Sequence, residues 1–211
     1  IMMYKTLLVG LGNIGMEYDL ETGVKKNNIF SYAKAIKYHD KLILSGAVDI
    51  NSKKCKIFTN LYNVWSSTSL IEALGKIKPD LIILSTPTDQ HYLNVLDIIK
   101  YFQPKLILCE KPITYNYSEA KKIYREILKT SIKFFVNYPR RLEKGVCEVK
   151  NRIDNNIIKS PINGVTWYSR GMFTNASHFL NLCEFWLGKV NDFRKLTDHK
   201  VNDIDPKYKF F

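Results

Sequence analysis

Apolar residues in the first two-thirds of the chain come in short runs, most of them continuous rather than alternating with polar ones. The runs cover residues 6–9, 42–48, 81–84, 106–109 and 132–136. A strand with one wet face alternates, whereas a strand covered on both faces reads as continuous Val, Ile and Leu, so these runs predict a buried parallel sheet. The segments between them, residues 30–38, 52–58, 69–77, 91–101 and 119–128, read as helices. Strand and helix repeating in this order imply right-handed crossovers and a doubly wound α/β sheet.

Beyond residue 137 the pattern changes. A polar helix is predicted over 141–153, followed by mixed segments at 164–170 and 190–196, which together read as the start of an α+β domain. Residues 207–211 read as a strand that stops without a turn or cap. A single strand is not a stable sheet edge, so the second domain is expected to be incomplete at Phe211. The expected division is 1–137 and 138–211, and no internal repeat or low-complexity segment is evident.

With 211 residues, 45% of them hydrophobic and 13% aromatic, the chain has the composition of a folded protein. Its longest apolar strings are strand-length, far below the roughly 20 residues that cross a bilayer, so no membrane span is expected. The N-terminus runs straight into a strand and lacks the basic region, apolar region and cleavage site of a leader, which makes a cytoplasmic location the expectation. Cys55, Cys109, Cys147 and Cys183 form no CxxC pair and no Cys/His cluster, so neither a disulfide framework nor a metal site is suggested. The net charge of +12 is spread along the whole chain. It reads as a solvated lysine-rich surface that could steer phosphorylated or carboxylated substrates, in preference to a nucleic-acid footprint.

The most informative local feature is Gly10-Leu11-Gly12-Asn13-Ile14-Gly15, directly after the first apolar run and ahead of a helix expected to open at Asn13. In that context a GxGxxG string is a dinucleotide-binding turn. Gly10 permits the tight turn, Gly12 lets backbone approach a pyrophosphate, and Gly15 allows close packing of helix on sheet. A free helix N-terminus would face the phosphates with its amides and positive dipole end. Asp49, at the end of the second run, stands where an acid receives the adenosine ribose hydroxyls and repels a 2′-phosphate, favouring NAD over NADP. It lies 34 positions after Gly15 (49 minus 15), against a usual spacing of about 20. An insertion around residues 17–28 is the expected reason for the excess. The other reading of Asp49 is a cap on the next helix.

Three further segments complete a pattern. They are Pro79-Asp80-Leu81-Ile82-Ile83-Leu84-Ser85-Thr86-Pro87-Thr88-Asp89-Gln90-His91, Cys109-Glu110-Lys111-Pro112, and Asn175-Ala176-Ser177-His178-Phe179-Leu180-Asn181-Leu182. With the glycine turn, in this order and spacing, they resemble the glucose-fructose oxidoreductase, inositol dehydrogenase and MocA family (Gfo/Idh/MocA). The stretch Gly15-Met16-Glu17-Tyr18-Asp19 leading to Ser31-Tyr32-Ala33 is similar to a subgroup common in surface-polysaccharide and lipopolysaccharide gene clusters.

The resemblance implies a Rossmann-type dinucleotide domain followed by a substrate domain, with the active site between them. It implies an NAD-dependent dehydrogenase acting on a sugar or nucleotide sugar. Cofactor contacts are then expected at Gly10, Gly12, Asn13, Ile14, Gly15, Asp49, Ser85, Thr86, His91, Glu110 and Lys111. His91 has packing at a helix start as its other reading, and Glu110 is expected to orient its turn rather than transfer a proton. Lys111 at a strand's carboxyl end could hydrogen-bond a substrate hydroxyl and support a developing alkoxide; the other reading is a surface lysine. Pro112 is expected to hold that backbone, in the family often through a cis peptide.

His178 projects off the apolar face formed by Phe179, Leu182, Cys183 and Trp186, which disfavours a core histidine and points to a general base; the other reading is a structural histidine of the helix's capping region. If Asn175 caps that helix, the positive helix end would keep His178 neutral. In the inositol dehydrogenase form of the family an aspartate precedes this histidine by four residues; Thr174 stands here, and Asn175 is the candidate for the substrate hydrogen bond. Tyr138, Arg140 and Arg141 read equally as ribose or substrate contacts and as a domain interface, while Asn181 reads as helix packing.

Three functions compete. The first is reversible oxidation of a sugar secondary alcohol, with His178 and Lys111 catalytic. The second is a catalytically inactive NAD- or sugar-binding regulatory protein, and the third a nucleic-acid binder. A homo-oligomer through the C-terminal sheet is the family's habit and is expected only if the native chain is longer.

Overall fold

The computed structural model describes residues 2–20, 28–169 and 171–192. The chain divides into two units, Ile1–Asn137 and Tyr138–Phe211. In the first, the strands are β1 (Tyr4–Val9), β2 (Leu42–Val48), β3 (Ser66–Ser67), β4 (Leu81–Leu84), β5 (Leu106–Glu110) and β6 (Lys133–Asn137). They pair in parallel in the order β3-β2-β1-β4-β5-β6. This is the doubly wound dinucleotide-binding order, in which the chain reverses direction across the sheet between β1 and β4.

Continuous apolar strands are explained by cover on both faces. Leu7, Val9, Ile82 and Leu84 point to one side, where they meet α3 (Leu70–Ile77), α4 (Thr88–Tyr101) and α5 (Tyr117–Leu128). Their neighbours Leu8 and Ile83 point to the other, against α1 (Tyr32–Tyr38) and α2 (Ser52–Tyr62). Successive side chains of a strand alternate between faces, so each residue is buried only because helices lie on both.

The sequence reading misses β3, two serines with no apolar signal. They join the sheet because the Ala47 amide bonds to Trp65 O and the Asp49 amide to Ser67 O, both at 3.2 Å.

A larger difference lies after the glycine turn. No helix opens at Asn13. The Met16 amide closes one turn on Gly12 O at 2.8 Å, a short 3₁₀ segment follows at Glu17–Asp19, and α1 begins only at Tyr32. The Tyr32 and Ala33 amides, the first two of α1, donate to Ile14 O and Gly15 O, both at 2.9 Å. An α-helical amide bonds four residues back, so Ile14 fills the place of residue 28 and Gly15 that of residue 29. Fourteen residues, 16–29, are therefore inserted into what is otherwise one helix start. Taking 14 from the 34 positions between Gly15 and Asp49 restores the usual spacing of about 20.

Asp19 secures the splice. Its carboxylate accepts from the Phe30 amide at 3.1 Å, the Ser31 amide at 2.8 Å and the Ser31 hydroxyl at 2.5 Å, and pairs with Lys34 Nζ at 3.4 Å. Burial works to raise its pKa, but these hydrogen bonds together outweigh burial and hold the carboxyl below its ordinary value.

In the second unit, a short turn at Pro139–Leu142 leads into α6 (Lys144–Asp154), and a π-helical turn at Met172–Ala176 leads into α7 (Ser177–Leu187). The Trp186 indole donates to Val146 O at 3.0 Å, and Arg141 donates to Asn181 Oδ1 at 2.5 Å, tying α7 to the elements before it. Residues 164–169 of the predicted mixed segment form no ladder among the described residues. Most of the 190–196 segment, and the strand read at 207–211, lie outside the described residues.

Candidate functional site

The sheet register gathers one row of residues at its carboxyl edge. Val9 pairs with Val48 and Leu84, Leu84 with Cys109, and Cys109 with Val136. The residues that follow these are Gly10, Asp49, Ser85, Glu110 and Asn137. Four of the five were read from the sequence as site residues. Ligands of open α/β sheets bind along this edge, at the switch point between β1 and β4.

The glycine turn is closed on two sides and open on the third. Gly10 has φ +98°, and a Cβ there would stand 2.6 Å from the Ser85 carbonyl carbon. A Cβ on Gly15 would stand 2.1 Å from Gly10 O. At Gly12 nothing lies within 4 Å of the same position. The bare backbone thus faces open space at the one glycine whose expected role is close approach to a pyrophosphate, and the cradle fits a dinucleotide. Asn13 and Ile14 are exposed at the tip of the turn. Because the first amides of α1 are committed to Ile14 O and Gly15 O, the expected free helix N-terminus is not there. Any amides offered to an anion belong to the turn itself.

Asp49 is bound into the same turn. The Leu11 amide donates to its Oδ2 at 2.7 Å and the Asn51 amide to its Oδ1 at 2.8 Å. The capping alternative does not hold: α2 is capped by Asn51, whose side chain accepts from the Lys53 amide at 2.9 Å. Each Asp49 oxygen keeps acceptor capacity beyond its one amide.

Ser85 and His91 serve the walls of the site. The buried Ser85 hydroxyl lies 2.9 Å from Gly10 O and 3.2 Å from Val9 O, holding the end of β1. His91 is 1% exposed, with Nε2 at 2.9 Å from Thr86 O and Nδ1 at 3.1 Å from Pro112 O and 3.3 Å from Ile113 O. Of its two readings, packing at the helix start is the one its surroundings match: the ring ties the loop after β4 to the loop after β5. Asn94 donates to the Thr86 hydroxyl at 3.1 Å, fixing that side chain as well.

Lys111 follows β5, is half-buried, and its peptide to Pro112 is cis. The Lys111 amide lies 3.3 Å from Glu110 Oε2. On the other oxygen, Glu110 accepts from the Tyr32 hydroxyl and from Asn137 Nδ2 at 3.0 Å, and Asn137 also reaches the Tyr32 oxygen at 2.5 Å. Burial first, and then the charge of Glu110, push the Tyr32 phenol far above its ordinary pKa, so it remains a donor. Glu110 is therefore an orienting group within a network. Tyr32, noted in the sequence only as part of the Ser31-Tyr32-Ala33 segment, and Asn137 were not read as site residues; the one signal for Asn137 was a polar residue closing an apolar strand.

In the second unit, His178 is the second residue of α7 and its ring meets Tyr138 edge-on, centroids 5.8 Å apart at 87°. Asn175 is not the cap of α7. It lies within the preceding π-turn, where the Asn175 and Ala176 amides both reach Gly171 O at 3.2 Å. Helical backbone thus extends before His178, and the argument that a free helix end keeps it neutral falls away. Turns of this kind recur at functional sites. Arg140 lies over the Phe179 ring and Arg141 over Phe185, both at 5.5 Å, so these cations pack on α7.

The four cysteines are free thiols. Among the described residues no group of three or more His, Cys, Asp or Glu could hold a metal ion, and no helix is long and apolar enough to cross a membrane.

Residues 4–138 match the sequence profile of an oxidoreductase family with an NAD-binding Rossmann fold. An uncharacterised oxidoreductase of Schizosaccharomyces pombe is 27% identical over 126 residues, 60% of this chain and 34% of that protein. Myo-inositol 2-dehydrogenase of Thermotoga maritima is 21% identical over 155 residues, 73% of this chain and 42% of that protein. Among solved structures, the WlbA dehydrogenase of Bordetella pertussis, in complex with NADH and UDP-GlcNAcA, superposes with a TM-score of 0.71 at 18% identity. The match covers 89% of this chain and 56% of that one. The chain thus spans about a third to two-fifths of these curated relatives and just over half of the solved one.

Proposed function

The chain belongs to the Gfo/Idh/MocA oxidoreductase family, whose first domain is an NAD-binding Rossmann fold, and from that premise we propose that it serves a dehydrogenase moving a hydride between NAD(H) and a secondary alcohol of a sugar or nucleotide sugar. The observation that carries the reading is the single row at the sheet edge, from Asp49 through Gly10 and Ser85 to Glu110, with Lys111 directly after it. Asp49 favours NAD over NADP, since a carboxylate beside the adenosine ribose accepts from its hydroxyls and repels a 2′-phosphate.

The nicotinamide, when bound, supplies the hydride acceptor. Lys111 hydrogen-bonds the substrate hydroxyl and stabilises the negative charge left on oxygen as its proton departs. His178 accepts that proton, and the Asn175 amide, both donor and acceptor, orients neighbouring hydroxyls. The division into a dinucleotide domain at 1–137 and part of a substrate domain at 138–211 belongs to the same proposal. The domain pairing, sugar class and catalytic roles draw support from family membership and from the pattern of the Glu110-Lys111-Pro112 and Asn175–His178 segments.

The test has two stages. NADH and NADPH are titrated by fluorescence, and a panel of nucleotide sugars and inositols is then assayed by absorbance of the reduced cofactor. Lys111→Ala and His178→Ala should each depress turnover about a hundredfold or more while leaving NADH affinity nearly intact. Near-normal turnover in both variants overturns the catalytic assignment. NADH binding without turnover of any panel member would favour the regulatory alternative.

A further inference from the structure

Tyr32 makes two sets of contacts that lead to different halves of the cofactor site. Its backbone amide donates to Ile14 O at 2.9 Å, beside the Ala33 amide on Gly15 O, and so closes the glycine turn onto α1. Its side-chain hydroxyl donates to Glu110 Oε1, the carboxylate whose other oxygen faces the Lys111 amide at 3.3 Å. Asn137 holds the same pair, at 2.5 Å from the Tyr32 oxygen and 3.0 Å from Glu110.

The sheet order gives these contacts their meaning. β1 lies between β2, which is followed by the ribose-side Asp49, and β4, beyond which come β5 and β6. A dinucleotide laid across the switch point puts its pyrophosphate at the β1 turn and its adenosine toward β2, which leaves the nicotinamide on the side of β4 and β5. The backbone of Tyr32 is thus fastened to the pyrophosphate turn and its hydroxyl to the nicotinamide side. His91 holds the same Lys111–Pro112 turn from its far end through Pro112 O.

We infer that Tyr32 is a positioning residue that couples the pyrophosphate turn to the Glu110–Lys111 turn, so that fastening the glycine turn also sets the nicotinamide side of the site. The inference rests on the dinucleotide reading of the cradle and does not depend on which sugar is oxidised. The start of α1 has its own supports in Ser31 and Asp19, so removing the hydroxyl alone leaves the helix and the Ile14 bond in place.

Tyr32→Phe deletes only that hydroxyl. The readout compares NADH with ADP-ribose, which carries the adenosine and pyrophosphate but no nicotinamide. In the variant, ADP-ribose affinity should stay within about twofold of wild type, while the excess affinity for NADH over ADP-ribose falls about ten- to a hundredfold, the loss expected for one hydrogen bond to a charged group. Glu110→Gln should lower the same ratio, and the double variant should be no worse than the more affected single one, because both act through one contact.

An unchanged ratio, or an equal loss for both ligands, overturns the coupling; the second result is what a merely structural tyrosine would give. If Tyr32→Phe does not fold, Asn137→Ser, which removes the other donor to the same oxygens, is measured in its place with the same expected fall in the ratio. Failure of the wild-type chain to bind NADH at all is a separate result that overturns the cradle reading itself.

Discussion

Gly12 and Gly15 sit three residues apart in one turn, yet replacing each by alanine should have opposite consequences. In Gly15→Ala the new methyl would lie 2.1 Å from Gly10 O, about 1.4 Å short of an ordinary contact near 3.5 Å. Neither partner can yield easily: Gly10 is itself held at φ +98° against the Ser85 backbone. Overpacking of this kind costs about 1–3 kcal/mol. At about 2–4 °C per kcal/mol for a chain of this size, the thermal midpoint should fall by several degrees.

Gly12→Ala meets nothing within 4 Å, and Gly12 is not among the positive-φ glycines. A Gly-to-Ala change at a compatible site reduces the freedom of the unfolded chain and stabilises by about 0.4–1 kcal/mol, so the midpoint should hold or rise slightly. The same methyl stands where the pyrophosphate must approach. Displacing one charged hydrogen bond, worth about 1.5–3 kcal/mol, weakens NADH about ten- to a hundredfold. Circular dichroism melting and NADH fluorescence titration of the two variants check both halves. A Gly12→Ala protein that binds NADH as wild type does, or that melts as low as Gly15→Ala, refutes the assignment of the open face to the cofactor.

Asp49→Asn removes the charge that opposes a 2′-phosphate, and the NADH-over-NADPH preference should fall about tenfold in paired titrations; an unchanged preference removes Asp49 as the discriminating group. His91→Ala strands the part-buried carbonyls of Thr86 and Pro112, so urea unfolding should show a loss of about 1–3 kcal/mol with NADH affinity within about threefold. A large affinity loss at unchanged stability would instead make His91 a cofactor contact. Because the Asp19 pKa is held below its ordinary 3.8, its stabilising effect is present at neutral pH and is lost as pH falls through that range. Asp19→Asn should therefore be less stable than wild type by about 0.5–2 kcal/mol at pH 7, with the difference closing in acid; a gap that persists in acid is not due to the carboxylate.

The doubly wound fold was legible because burial on both faces leaves its mark in the central strands, as Leu7-Leu8-Val9 and Ile82-Ile83-Leu84 show. Glycines constrained by neighbouring backbone were legible for a similar reason: little else fits at Gly10 or Gly15. The two-serine β3 was not, because its place depends on backbone pairing with β2 rather than on side chains. A helix was expected to open at Asn13 because local order predicts that one continues from a glycine turn, whereas α1 itself was read at 30–38 against Tyr32–Tyr38. The hydrogen bonds that count there run across an insertion, from Tyr32 and Ala33 to Ile14 and Gly15.

The sequence by itself determined the sheet's strands apart from β3 and the glycine turn, and it singled out Asp49 and Lys111 as candidates, each from local spacing or from the chemistry of one residue type. Only the tertiary structure decided how they are joined. It spliced the helix across fourteen residues, turned His91 into a tie between two loops, and brought Tyr32, Glu110 and Asn137 together from positions far apart in the chain. Periodicity reports which face of an element is buried. It carries no record of which distant polar group completes a buried donor or acceptor, and that pairing is settled only when the strands take their register.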